Sequence, residues 1–293
     1  MSPGKVIRLG AVAYLNARPL VFGLDRSPRF AVRFDIPSRC ATLLHEGAID
    51  VGLIPSIEYL RGGPYCIVPD LAIASRGKVA SVALYTTKPM ADVRSVAMDT
   101  SSRTSAALVR VLCRRQFKIE PTFELGGPDL EPMLKRCDAA LIIGDNALFV
   151  DAEQLTVNSR QSTANREGSS VSPQLSTVDC QRSTIEKIDL GEVWTNMTGL
   201  PFVYAFWAGR PGALTPDDVE TLQRTRDAGV AQSKDIARKY FSQSLERQAI
   251  GAEYLRDNVK YYLGDEERAG LELFYRYAAD AGVAPAEEPL RFY

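Results

Sequence analysis

The sequence predicts an α/β protein of two lobes with a ligand cleft between them, and three observations lead there. Strands alternate with helices through the first third of the chain. The alternation starts afresh in the middle third. The last quarter returns with one strongly apolar strand followed by helices. Strands separated by helices build βαβ units with parallel pairing. A chain that completes one lobe, builds a second and comes back crosses between them twice. The crossings are placed near Tyr85–Asp92 and Phe202–Arg210, so that residues 1–88 and 206–293 form one discontinuous lobe and 89–205 the other. Interfaces between lobes are where small-molecule pockets form.

Val6–Ala13 is a mostly apolar run suited to a strand, followed by strands at Phe30–Ile36 and Asp50–Ile54. Between the last two, Ser38 caps a helix through Glu46, and Gly47 ends it. In the middle third, Ser81–Thr87 is a strand closed by the Lys88-Pro89 break, and Val93–Met98 is another. Ser101–Gln116 reads as a helix with Ala107, Leu108, Val111 and Leu112 on one face. Ile119–Leu125, the helix Leu130–Arg136 and Ala139–Ile143 complete a second sheet. Thr156–Thr184 stands apart. Ser, Thr, Asn and Gln make up more than half of it, and it has no aromatic residue. Such a segment buries too little apolar surface to offset its ordering entropy, so 156–184 reads as a polar surface insertion in the second lobe. Order returns at Ile185–Trp194, and Leu200–Trp207 is the apolar strand. Thr215 with Pro216 at the first helical position opens a helix. Helices at Ser233–Phe241, Leu245–Leu263 and Asp265–Ala281 follow.

Composition narrows the function. The chain has 293 residues, with 35 Lys and Arg against 36 Asp and Glu. That balance argues against nucleic acid as a partner while leaving room for a local anion pocket. Cys40, Cys66, Cys113, Cys137 and Cys180 are odd in number and widely spaced, without a CxxC pair. The pattern fits neither a disulfide framework nor a clustered zinc site; Cys40 and Cys113 read as small core residues. Arg8 interrupts the first apolar run, which does not resemble a secretory leader. No apolar stretch is long enough to span a bilayer. The expectation is a reduced, cytoplasmic protein without a membrane partner. Its one histidine, His45, sits near a predicted helix end and reads as a solvated cap. With no GxGxxG or GxxxxGK[ST] run and no spare His or Cys ligands, no metal or nucleotide cofactor is expected.

What the chain does carry is polar residues at strand ends and helix starts. Tyr14-Leu15-Asn16-Ala17-Arg18-Pro19 follows the first strand, and Ile54-Pro55-Ser56 follows the third. Ser75-Arg76-Gly77 leads toward Ser81. Asp99 to Ser105, with Ser102, Arg103 and Thr104, opens a helix, and Gly144-Asp145 follows Ala139–Ile143. In open α/β sheets, ligands bind beyond the carboxyl ends of strands. Helix starts there offer free N–H groups to carboxylates, and an arginine adds a planar fork. The bland alternative is that each residue is only a cap or a turn.

The runs RLGAVAYLNARPL, DIPSRCATLLHEGAIDVGLIPSIEYLR, VASVALYTT, DTSSRTSAALVRVLC, LIIGDNAL and IDLGEVWTNMTGLPFVYAFWAGR resemble the chorismate dehydratases of the futalosine route to menaquinone. The C-terminal NVKYYLGDEERAGLELFYRYA resembles the same family. The likeness spans nearly the whole chain except 156–184, a departure from the family pattern. It implies the two-lobed type II periplasmic-binding-protein-like fold, and dehydration of chorismate to 3-(1-carboxyvinyloxy)benzoate without a cofactor. With position, it implies Asn16 as the catalytic residue and Asp145 as an alternative general base or a partner of Arg18. Arg103, Ser102 and Thr104 then hold one carboxylate, with Ser56, Ser75, Arg76 and Ser81 lining the first-lobe side. The expected partner is the small-molecule substrate alone, on a monomer or homodimer. Alternatives are a non-catalytic small-anion binder of the same fold, or the sister enzyme that makes 1,4-dihydroxy-6-naphthoate. Because long surface loops add little closure entropy, replacing 156–184 by a short Gly/Ser link is expected to leave turnover and melting temperature unchanged. A large loss in either shows that the segment packs on the cleft.

Overall fold

Residues 6–150, 185–286 and 288–293 are described by a computed structural model. The insertion expected at 156–184, and Cys180 with it, lies outside them. Strands β1 (Ile7–Val12), β2 (Phe30–Asp35), β3 (Val51–Pro55), β4 (Cys66–Ile67) and β5 (Ile73–Ser75) come first. Next are β6 (Val82–Thr86), β7 (Ser95–Asp99), β8 (Thr122–Gly126), β9 (Ala139–Ile143) and β10 (Glu186–Asp189), and last β11 (Phe202–Gly209). The first sheet has the order β2-β1-β3-β11-β4 with β5 paired to β11, and the second the order β10-β6-β9-β7-β8. Helices α1 (Pro37–His45), α2 (Arg103–Leu112), α3 (Leu130–Leu134), α4 (Gly144–Leu148) and α5 (Leu190–Thr198) lie between strands. The chain closes with α6 (Pro216–Ala231), α7 (Ser233–Tyr240), α8 (Leu245–Glu253) and α9 (Asp265–Asp280).

Parallel pairing holds for β1 with β2 and β3, and for β7 with β8 and β9. The sheets are nonetheless mixed. β11 runs antiparallel to β3, β4 and β5 because the returning chain enters the first sheet from the opposite end. β6 runs antiparallel to β9 and β10 in the same way. Pairing also moves the expected crossings. The boundary at 88/89 leaves β6 with the first lobe, yet β6 pairs only within the second sheet. The boundary at 205/206 cuts β11, all of which belongs to the first sheet. The chain therefore changes sheet at 76–81 and again at 199–201. Both β6 and β11 are buried throughout and almost wholly apolar, so sequence alone does not say on which side of a crossing they fall.

Every residue of β11 is buried, which is why its sequence is a continuous apolar run and not an alternating one. Trp194 of α5 packs edge-on against Phe202 and Phe274, joining β11 to α9. Cys40 and Cys113 are core residues, and burial pushes each thiol up to about 12. Thr215 caps α6 as expected, accepting from the Asp218 N–H while the Asp218 carboxylate takes the Thr215 N–H. Ser38 is no cap. Pro37 already occupies the first turn of α1, which frees the Ser38 N–H to reach the Ser101 carbonyl at 3.0 Å. Gly47 ends that helix with φ +74°, as its position suggests. Among the described residues no helix is long and apolar enough to cross a membrane.

One close approach positions the cleft. α6 lies on the turn Leu15–Val21 that follows β1, and a Cβ built on Gly229 would stand 2.1 Å from the Pro19 carbonyl oxygen. In an open helix Gly→Ala gains about 1 kcal/mol. Here the turn has to move, so Gly229→Ala is expected to lose about 1–3 kcal/mol, read as a lower urea midpoint at unchanged m-value. A stabilised variant would show that the turn is free to shift.

Candidate active site

The carboxyl ends of β1, β3 and β9 meet the start of α2 around one narrow cavity between the sheets. Tyr14 and Asn16 come from the turn after β1, Pro55 from β3, Ser81 from the first crossing, and Tyr204 from β11. Ser102 and Ser105 face them from the first turn of α2. Ser102 is the N-cap: its Oγ accepts the Ser105 N–H at 3.3 Å and lies 2.9 Å from the Ser105 hydroxyl. The Tyr14 ring lies across Gly144, where a Cβ would come within 2.9 Å of it and where φ is +66°. A side chain at 144 would displace the tyrosine and strain the backbone.

Three residues singled out from the sequence line this cavity: Asn16, Ser81 and Ser102. Asn16 Oδ1 is buried and has no hydrogen-bond partner in the protein, an arrangement that costs free energy unless something else supplies a donor. Ser75 stands one step behind, its hydroxyl 3.1 Å from that of Tyr204. Ser56 and Thr104 meet where the lobes touch. Thr104 Oγ1 accepts the Ile57 N–H at 3.2 Å and lies 3.3 Å from Ser56 Oγ, which donates to the Val203 carbonyl.

The charged residues expected at the site are elsewhere. Arg103 donates to Glu58 at 2.6 Å and to Thr42 at 3.2 Å, reaching across the lobes instead of into the cavity. Asp145 has both oxygens engaged: Oδ1 accepts the Leu15 N–H at 3.1 Å, and Oδ2 accepts the Tyr240 hydroxyl at 2.6 Å. Burial raises the Asp145 pKa, offset in part by those two bonds and by the Arg18 charge. Arg18 is turned outward between the rings of Phe34 and Tyr240, 4.4 and 5.0 Å from their centroids. Arg76 pairs at the surface with Glu266 at 2.7 Å. Among the described residues lining the cavity there is no His, Lys, Arg, Asp or Glu. No group of His, Cys, Asp and Glu among the described residues is arranged to hold a metal ion.

Glu58 is the unexpected centre of charge. Its side chain is 2% exposed, and it receives Arg103 from the second lobe, Arg61 at 2.9 Å and His45 Nε2 at 3.1 Å. His45 is thus no solvated cap: its Nδ1 lies 2.7 Å from the Tyr65 hydroxyl. Burial alone would raise the Glu58 pKa. The hydrogen bonds from His45 and Arg103, the Arg103 charge and the bond from Arg61 outweigh it and hold the group at about 2.

Sequence reasoning passed over several cavity residues. Tyr14 stands two positions before Asn16 in the same run, and Ser105 lies one helical turn beyond Ser102, so both carried a local signal. Tyr204 carried none, because its sequence neighbours are ordinary core residues and only the fold brings it to the cavity.

Fold and cleft together define a two-lobed α/β protein with a periplasmic-binding-protein-like fold and a cavity between the lobes. Solved structures agree on the architecture. A protein from Archaeoglobus fulgidus superposes with a TM-score of 0.66 at 15% identity, over 94% of this chain and 98% of that one. The periplasmic aliphatic sulphonate binding protein of Escherichia coli gives 0.59 at 14% identity, over 99% of this chain and 94% of that one. Within that class, the chain belongs to the menaquinone biosynthesis family, whose model matches residues 7–280. A curated relative, the chorismate dehydratase of Thermus thermophilus, is 29% identical over 272 residues, covering 91% of this chain and 93% of the relative.

The depressed Glu58 pKa fixes a pH dependence. A carboxylate with a lowered folded-state pKa stabilises the fold above its unfolded value, and that contribution is lost as pH falls through the folded value. From the ordinary 4.5 to about 2, the contribution is about 3 kcal/mol at neutral pH. Glu58→Gln, neutral and of equal size, is expected to lose about that much at pH 7 and to converge on the wild type as pH falls from 4.5 toward 2. Denaturant titrations across that range check it; a pH-independent gap would mean that Glu58 acts through packing alone.

Proposed function

We propose that this chain removes water from chorismate and aromatises its ring, giving 3-(1-carboxyvinyloxy)benzoate. The observation that carries the reading is the orphaned Asn16 Oδ1 in a cavity built only of neutral groups. The family membership and the dehydratase relative support it.

Chorismate has two carboxylates, a ring hydroxyl and a C–H bond on the carbon bearing the enolpyruvyl ether. The reaction breaks that C–H bond and the C–O bond to the hydroxyl, forms the third ring double bond and releases the proton and hydroxide as water. Aromatisation supplies the driving force, so the protein's task is alignment and stabilisation of developing charge. The ring carboxylate is placed at the start of α2, where free N–H groups and the Ser102 and Ser105 hydroxyls receive an anion. That carboxylate takes up charge as the ring proton leaves. Asn16 Oδ1 accepts a hydrogen bond from the ring hydroxyl and orients the leaving group. The enolpyruvyl carboxylate of the substrate takes the ring proton and passes it to the departing hydroxide. In a neutral pocket it meets no guanidinium that would lower its basicity.

The test is incubation with chorismate, followed by loss of the diene absorbance and growth of an aromatic product. Asn16→Ala is expected to cut the single-turnover rate on the order of a hundredfold, as for other single positioning groups, at near-constant melting temperature. A normal rate removes Asn16 from the chemistry. Tight binding of chorismate without product would instead identify an anion-binding protein of the same fold.

A further inference from the structure

We infer that Asp189 is a positioning residue of the cleft: its carboxylate holds Ala80 in a left-handed conformation and so sets where Ser81 stands in the cavity wall. Asp189 is the last residue of β10 and is buried. Its Oδ1 accepts the N–H groups of Gly191 at 3.0 Å and Glu192 at 3.1 Å, which caps α5. A cap needs no more than that. Yet the same carboxylate takes two further N–H groups from the first crossing: Val79 on Oδ1 at 3.0 Å and Ala80 on Oδ2 at 2.6 Å. The start of α5 lies flush against that crossing. A Cβ on Gly191 would stand 2.7 Å from the Gly77 carbonyl oxygen and from the Ser75 and Tyr204 hydroxyls.

Ala80 has φ +64°, where a Cβ crowds the backbone and glycine is the usual occupant. A residue with a side chain persists there only where its surroundings dictate it. Both backbone groups of Ala80 are held from β10: Asp189 takes the N–H, and Lys187 Nζ donates to the carbonyl at 3.3 Å. The next residue is fixed as well. The Gly144 N–H donates to the Ser81 carbonyl at 2.8 Å, and the Ser81 and Tyr254 hydroxyls lie 2.7 Å apart. Val79, Ser81 and Val82 line the cavity, so the backbone geometry at Ala80 sets where this wall stands. That the wall is presented to chorismate rests on the function proposed above; the hold of Asp189 on Ala80 does not.

One substitution separates that hold from the cap. In Asp189→Asn the carbonyl oxygen takes the place of Oδ1, where three N–H groups converge. The amide NH2 is left facing the Ala80 N–H, donor against donor. In 15N-labelled protein without ligand, exchange of the Ala80 amide is expected to quicken on the order of tenfold in this variant, with Gly191 and Glu192 near their wild-type rates. Exchange at residue 80 that is unmoved, or that rises no more than at 191 and 192, overturns the hold. Ala80→Gly covers the case of an Asp189→Asn protein that does not fold. A glycine at an ordinary φ lowers the melting temperature, whereas here it is expected to raise it or leave it unchanged; a lowered one overturns the left-handed conformation.

With chorismate, Asp189→Asn is expected to lower kcat/KM about tenfold, as misplaced contact groups do. Adding Ala80→Gly is expected to recover most of that loss, because glycine takes the left-handed conformation unaided. An unchanged kcat/KM in Asp189→Asn, or no recovery in the double variant, overturns the positioning role. Wild-type protein inert toward chorismate overturns the proposed function, and the exchange measurement still decides the hold on Ala80.

Discussion

A buried carboxylate needs compensating donors wherever the fold places it, and Glu58 sits at the seam between the lobes. It occupies the turn after β3 and is almost fully buried, and its partners come from both sides: His45 and Arg61 from the first lobe, Arg103 from the second. Because Arg103 is the first residue of α2, satisfying Glu58 pins the start of that helix over the end of β3. The neighbouring contacts fall into line with it. Thr104 reaches Ser56 and the Ile57 N–H, and Ser101 receives the Ser38 N–H. Elsewhere along the seam, Asp145 from α4 holds the Leu15 N–H and the Tyr240 hydroxyl.

This arrangement separates two kinds of polar group. Charged side chains join the lobes, and neutral hydroxyls and an amide line the space between them. An arginine inside the cavity would pair with a substrate carboxylate and lower its basicity. Engaging Arg103 with Glu58 keeps that charge at the rim. The cleft is then left with helix N–H groups, Ser102, Ser105, Ser81 and Asn16, the uncharged groups on which the proposed binding of an anionic substrate rests. Arg103 and Asp145 lie next to cavity residues in the sequence, yet their side chains bond across to the other lobe, while Arg18 stacks between Phe34 and Tyr240 and Arg76 pairs with Glu266 at the surface.

Local rules recovered much of the architecture. The apolar runs at Val6–Ala13 and Ala139–Ile143, the capped start at Thr215-Pro216 and the helix-ending Gly47 depend on short-range periodicity and backbone chemistry, and each lies where the sequence put it. The restart of strand–helix alternation in the middle third and the return of the chain pointed to two lobes, and the likeness of whole runs to one family pointed to the type II periplasmic-binding-protein-like fold. What sequence alone did not contain is the assignment of β6 and β11 to their sheets, since an almost wholly apolar strand suits either side of a crossing. Nor did it contain the pairing of Glu58 with Arg103, 45 residues apart, or the approach of Tyr254 to Ser81 across 173 residues. Asn16, Ser81 and Ser102 were legible because strand ends and helix starts carry a local signature. Which of the polar residues beside them line the cavity, and which hold the lobes together, was decided by tertiary packing, because a side chain's partner in a cleft between lobes is set by the other lobe.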